Sequence, residues 1–137
     1  MSCLFCAIIA GDEPASIVLE TDDVVGFLDI RPVFKGHVLV LPRSHHETLV
    51  DLPAPLLEPL FAQVQRLSHA VLDGLDAHGT FVAMNNVVSQ SVPHAHVHVV
   101  PRRRKDGLRG FFWPRTRYDD AAEAETYAER VRDALKR

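Results

Sequence analysis

The stretch His94-Ala95-His96-Val97-His98-Val99-Val100 alternates imidazoles with small or branched apolar side chains, and a period of two is the signature of a β-strand. On a strand the three imidazoles share one face, while Ala95, Val97 and Val99 turn to the other, which reads as core. Neighbouring histidines then lie roughly 6.5–7 Å apart and the outer two about 13 Å apart. A zinc–nitrogen bond is only about 2.0–2.1 Å long. His94 and His98 therefore cannot meet at one ion, and at least one of the three serves another task. A strand face merely rich in histidine is the plainer alternative, but three imidazoles on one face are costly unless each finds a partner.

The remaining sequence fits a small globular domain. Its 137 residues, 47% hydrophobic and 24% charged, are enough for a real core and unlike a disordered chain. A net charge of −3, from 15 basic and 18 acidic residues, gives no whole-chain argument for nucleic acid as a partner, and none is expected. The N-terminal apolar run lacks a basic flank and is cut by Gly11-Asp12-Glu13-Pro14, which is unlike a signal peptide. No stretch approaches the roughly 18 apolar residues of a membrane helix, so no membrane partner is expected either. Two cysteines without an export signal suggest reduced thiols and a cytoplasmic location.

Residues 3–10 read as a turn or two of helix capped by Gly11, and 16–20 and 24–28 as strands around Thr21-Asp22-Asp23. Residues 36–42 form a branched strand ended by Pro42. Leu57, Leu60, Phe61, Val64, Leu67, Val71, Leu72 and Leu75 recur at helical spacing between Pro53/Pro55 and Gly79. Strands follow at 80–85 and 93–101. A second helix spans 119–136, with Ala124, Tyr127, Val131 and Leu135 in period. Acids open it and bases close it, as the helix dipole favours. The expected fold is α+β: a mostly antiparallel sheet of about five strands, one long helix packed on it, and a C-terminal helix. One domain is expected over 1–137, with its core at about 3–113 and a helical extension at about 119–136.

Asn85, Asn86, Ser89, Gln90 and Ser91 feed the histidine stretch with amide and hydroxyl donors suited to phosphate oxygens. Gln90-Ser91-Val92-Pro93-His94-Ala95-His96-Val97-His98-Val99-Val100 resembles the signature of the histidine triad (HIT) family of nucleotide hydrolases and transferases. Phe27-Leu28-Asp29-Ile30, Gly36-His37-Val38-Leu39-Val40-Leu41-Pro42-Arg43 and Cys3-Leu4-Phe5-Cys6 extend the resemblance over about residues 3–113. It implies a HIT-like fold in which His96 attacks the α-phosphate of a nucleoside-phosphate substrate. A covalent nucleotidyl-histidine would form, and water would release the nucleoside monophosphate. The same resemblance implies His98 and His37 near the phosphate, Ser91 beside the leaving group, and Gln90 beside the phosphate or bridging atom. It implies Asp29 at the ribose hydroxyls, Phe27 and Ile30 around the base, and Asn85 or Asn86 at phosphate or ribose. Read as residues alone, Phe27 and Ile30 can equally be core, and Asp29 a turn residue before Arg31-Pro32. The chain departs from many family members in one place. Asn85-Asn86-Val87-Val88-Ser89-Gln90 has no glycine where theirs do, so Val88 and Ser89 are expected to meet phosphate without the close backbone approach that glycine permits.

Cys3-x-x-Cys6 supplies half of a tetrahedral zinc set, although two free thiols near a chain terminus are a common alternative. The resemblance extends to bacterial HIT proteins that add a histidine after the Leu-Pro-Lys/Arg segment and the first histidine of the triad. It implies Cys3, Cys6, His45 and His94 as ligands of a structural zinc, with no organic cofactor. Four protein ligands leave no place for a metal-bound water.

Arg102, Arg103, Arg104, Lys105, Arg109, Arg115 and Arg117 reverse the chain's sign after the triad, either to attract an anion or as a solvated loop. Trp113-Pro114, closing an aromatic run from Phe111, resembles a segment near the active site and dimer interface of phosphoramidase-like members. The expected protein is a homodimeric, phosphoramidase-like HIT enzyme acting on a small-molecule purine nucleotide of phosphoramidate or acyl-adenylate type. Diadenosine polyphosphates are the alternative substrates. A non-catalytic nucleotide- or RNA-binding module and a metallohydrolase with zinc on two triad histidines are the alternative classes.

Overall fold

The computed structural model describes residues 2–108 and 115–136. It divides into two units, Met1–Asp106 and Gly107–Arg137. In the first, helix α1 (Leu4–Ala10) is followed by strands β1 (Ile17–Glu20), β2 (Val24–Leu28) and β3 (Val38–Pro42). A 3-10 turn at Leu49–Asp51 leads into α2 (Ala54–Gly74), then β4 (Gly79–Ala83) and β5 (Val97–Arg102). The strands form one antiparallel sheet in the order β1-β2-β3-β5-β4, as the α+β reading expects.

Leu60, Val64, Leu67 and Val71 form the buried stripe of α2, at spacings of four, three and four. They pack with Val24, Val38 and Val40 of β2 and β3, and with Ala95, Val97 and Val99. The opposite face carries Val25, Phe27, Leu39 and Leu41 and is covered by Phe5 and Ile8 of α1. Leu39 pairs with His98 across β3 and β5, so the triad's last imidazole shares the α1 face while Val97 and Val99 take the α2 face. The alternation thus sorts the side chains as the sequence pattern demands. The strand itself starts late, at Val97 and not Pro93. Ahead of it the His94 N–H turns back to the Val92 carbonyl around Pro93, and the Ala95 N–H donates to His46 O.

Other boundaries also shift inward. The long helix ends at Gly74, before Gly79, and β3 starts at Val38 because Gly36 takes a turn conformation at φ +98. The positive φ is what calls for glycine at Gly36; a Cβ there would also press on the movable tip of the Leu75 side chain.

In the second unit, α3 (Ala121–Leu135) is capped by Asp120, whose side chain accepts from Glu123 N, and Tyr118 packs on Tyr127. None of its residues is buried. Arg109, the aromatic run and Trp113-Pro114 lie outside the described residues. Among those described, no helix is long and apolar enough to cross a membrane.

Candidate active site and metal centre

Burial and hydrogen bonding fix the state of each imidazole. His96 is buried, and its Nδ1 lies 2.7 Å from the His94 carbonyl oxygen. A carbonyl only accepts, so Nδ1 carries the proton and Nε2 keeps a lone pair. Burial also lowers its pKa, which favours the neutral ring. Phe5 stands edge-on to this ring at 5.0 Å between centroids, restricting its tilt. The residue type of Phe5 alone discloses no such role; its place between the two cysteines is the available signal.

The neighbouring pair is ordered from the backbone outward. The Val33 N–H donates to His37 Nδ1 at 3.1 Å, so the proton of that ring sits on Nε2. His37 Nε2 then donates to His98 Nδ1 at 2.9 Å, which leaves His98 with its N–H on Nε2. Burial lowers both rings. The pKa of His98 is pushed down to about 4, first by burial and then by His96 and His37 beside it. Asp29 Oδ2 lies 3.8 Å from His37 Nδ1, while Oδ1 accepts from the Arg31 N–H. The Asp29 N–H donates to His37 O, closing the neck of the loop between them. Asp29, His37, His96 and His98 thus come from three separate segments to one face of the sheet.

His94 belongs to a different centre. It is 0% exposed, and its Nε2 donates to Pro42 O at 2.8 Å, leaving the Nδ1 lone pair directed at two sulfurs. Cys3 Sγ and Cys6 Sγ each lie 3.6 Å from His94 Nδ1, and Cys6 Sγ lies 3.5 Å from His45 Nδ1. A sulfur and a nitrogen bound to one tetrahedral zinc are separated by about 3.6 Å, from bonds near 2.3 and 2.0 Å. The four donor atoms, all within 4.8 Å of one another, could therefore hold a metal ion with little movement. Burial, and then the adjoining Cys3, push the Cys6 thiol up, so a bare thiolate pair is disfavoured and a cation would offset that cost.

The remaining candidates are scattered. Ile30 is 87% exposed and open to a planar ligand, whereas Phe27 is 3% exposed and packs edge-on to Phe5 within the core. Asn86 Oδ1 accepts from the Leu49 N–H, and Asn85 is exposed. Gln90 accepts from the Val87 N–H and donates to Glu47 O, bracing its own loop; Ser91 is exposed. That loop answers the missing glycines directly. Val87 and Ser89 take φ +68 and +62, the region that favours glycine, and the Val88 N–H closes a γ-turn onto Asn86 O. In the basic segment Arg102 pairs with Asp106, and Arg103 donates to the Leu75 and Asp76 carbonyls beyond α2. Those two arginines support structure.

The HIT domain profile matches residues 10–105. The chain is 39% identical over 121 residues to Protein hit of Bacillus subtilis, covering 87% of this chain and 83% of that one. It is 34% identical over 119 residues to adenosine 5′-monophosphoramidase HNT1 of Candida albicans, covering 82% and 78%. Among solved structures, a HIT family member from Bacillus subtilis superposes with a TM-score of 0.87 at 32% identity, covering 97% and 96%. A zinc-bound histidine triad family protein from Mycobacterium smegmatis gives 0.76 at 37% identity, covering 98% of each chain.

Proposed function

This chain belongs to the HIT family of nucleotide-handling hydrolases and transferases, and from that premise we propose that it cleaves purine nucleoside 5′-phosphate derivatives through a covalent bond to His96. The observation that carries the proposal is the hydrogen bond from His96 Nδ1 to the His94 carbonyl, which leaves Nε2 unprotonated on a neutral ring.

In the proposed reaction His96 Nε2 attacks the α-phosphorus. A P–N bond forms as the bond to the leaving group breaks, and water later cleaves the P–N bond to give the nucleoside monophosphate. The His98 Nε2–H donates to a phosphate oxygen as charge gathers there, and the His37–Val33 chain keeps that donor oriented. Asp29 accepts from the ribose hydroxyls, and Ile30 flanks the base. Phe27 contributes from behind, through Phe5. Asn85 is the better placed of the two asparagines for phosphate or ribose, since Asn86 already accepts from Leu49. Ser91 and Gln90 face the leaving group, Gln90 after exchanging a loop hydrogen bond for one to substrate.

Similarity to an adenosine 5′-monophosphoramidase supports phosphoramidates, with acyl-adenylates close in chemistry. Diadenosine polyphosphates are disfavoured by the structural use of Arg102 and Arg103. Cys3, Cys6, His45 and His94 would hold a structural zinc that fixes α1 against the segment leading to His96. A cytoplasmic homodimer completes the proposal; β4, an edge strand with Val82 exposed, offers a surface for a second copy.

The test is intact-protein mass spectrometry of wild type and His96→Ala incubated with adenosine phosphoramidate or a diadenosine polyphosphate. An adenylyl adduct on wild type alone is expected, accumulating faster from the phosphoramidate. Absence of both adduct and turnover with either compound would refute the enzymatic reading and favour a binding module.

A further inference from the structure

Asp29, His37 and His98 form a second group of metal-type donors, distinct from the cysteine centre. Each comes from a different segment: the loop after β2, the residue before β3, and β5. His37 Nε2 and His98 Nδ1 face one another at 2.9 Å. Two nitrogens bound to one tetrahedral zinc are separated by about 3.3 Å, so to admit an ion the rings part by a few tenths of an ångström and turn out of their mutual hydrogen bond. One Asp29 oxygen lies within 4.8 Å of the ring donors. His37 is buried, and its Nδ1 now accepts from the Val33 N–H, a bond that an ion on Nε2 has to replace.

We propose that Asp29, His37 and His98 constitute a second, weaker site for a zinc-like divalent cation, and that an ion there excludes the nucleoside part of the substrate. The ion site rests on geometry alone, whereas the exclusion rests on the functional reading above, in which Asp29 holds the ribose.

The affinity order follows from the proton balance. The proton now between the two rings has to pass from His37 Nε2 to Nδ1, so none is released, but the Val33 N–H loses its acceptor. The site then offers one carboxylate as its only negative ligand, against two thiolates in the cysteine centre. Both imidazoles are already neutral near pH 7, so their lone pairs cost no deprotonation.

Protein carrying one zinc per chain is titrated with Co²⁺ and followed by calorimetry and visible absorption. A further equivalent should bind, giving d–d bands without the sulfur-to-metal charge transfer of a thiolate site. It should be lost in both His37→Asn and His98→Asn, with folding checked by circular dichroism, and adenosine should weaken Co²⁺ binding at least five-fold. Saturation without a further equivalent, or its undiminished retention in both folded variants, would overturn the site. Binding unaffected by saturating adenosine would overturn the exclusion. Failure of the hydrolase reading appears in the adduct assay and leaves the cobalt titration unchanged.

Discussion

The carbonyl oxygen of His94 accepts the Nδ1 proton of His96 at 2.7 Å, so a residue that points its own ring at two sulfurs also sets the tautomer of its neighbour. The two centres therefore share backbone, and the Phe5 ring, edge-on to both imidazoles, joins them through side chains as well.

Removing the lone pair that this bond exposes should abolish covalent chemistry. His96→Ala is expected to lower turnover by roughly 10⁴-fold or more, as loss of a nucleophile does elsewhere. Steady-state rates and the adduct assay check this together; an adduct surviving in the variant would move the nucleophile elsewhere.

Phe5 touches Phe27 and His96 and is buried. Phe5→Ala should cost about 3–4 kcal/mol of unfolding free energy in urea, and Phe5→Leu distinctly less. Equal losses would argue against the packing account.

Chelation of zinc, or Cys6→Ser, should lower the melting temperature, because the four ligands join α1 to two later segments, those of His45 and His94. Protein that stays folded after chelation should still form the His96 adduct. Complete loss of adduct in folded, metal-free protein would instead support a catalytic metal. One zinc per chain by elemental analysis of reduced protein is expected, falling well below that in the variant.

His37 and His98 are held neutral by burial at pH values where the unfolded chain already takes up protons. Their folded pKa values are depressed, so their contribution to stability is whole above about pH 6.5 and is lost as pH falls through each depressed value, which for His98 is about 4. For His98 the loss between pH 7 and 4 is roughly 2 kcal/mol after discounting for its partial exposure. Denaturation of wild type and His98→Asn across this range should show a shallower slope in the variant; parallel slopes would refute it.

Val87 sits at φ +68 with an exposed side chain, so its branched Cβ brings strain and little packing. Val87→Gly should leave stability unchanged or raise it by up to about 1 kcal/mol, opposite to the usual cost of glycine. A loss above 1 kcal/mol would show that the valine side chain makes contacts that outweigh the strain.

Much of this molecule was legible in one dimension. The period of two around His96 and the period near 3.6 from Leu57 to Leu75 follow from backbone geometry alone, so strand faces and the buried stripe of α2 could be read directly. The same geometry forbade a common ion for His94 and His98. What the residues disclosed only through the family resemblance, and not through local geometry, was partnership across long separations. His37 meets His98 over 61 positions, and Cys6 meets His45 over 39, because sheet order and the docking of α1 bring them together. Phe27 shows the limit most clearly. An aromatic beside a ligand-type aspartate reads equally as pocket wall or core, and only the covering of that sheet face by Phe5 buried it. The glycine-poor loop is the converse case: local preference opposed positive φ at Val87 and Ser89, and hydrogen bonds to Leu49 and Glu47 from other parts of the chain overrode it.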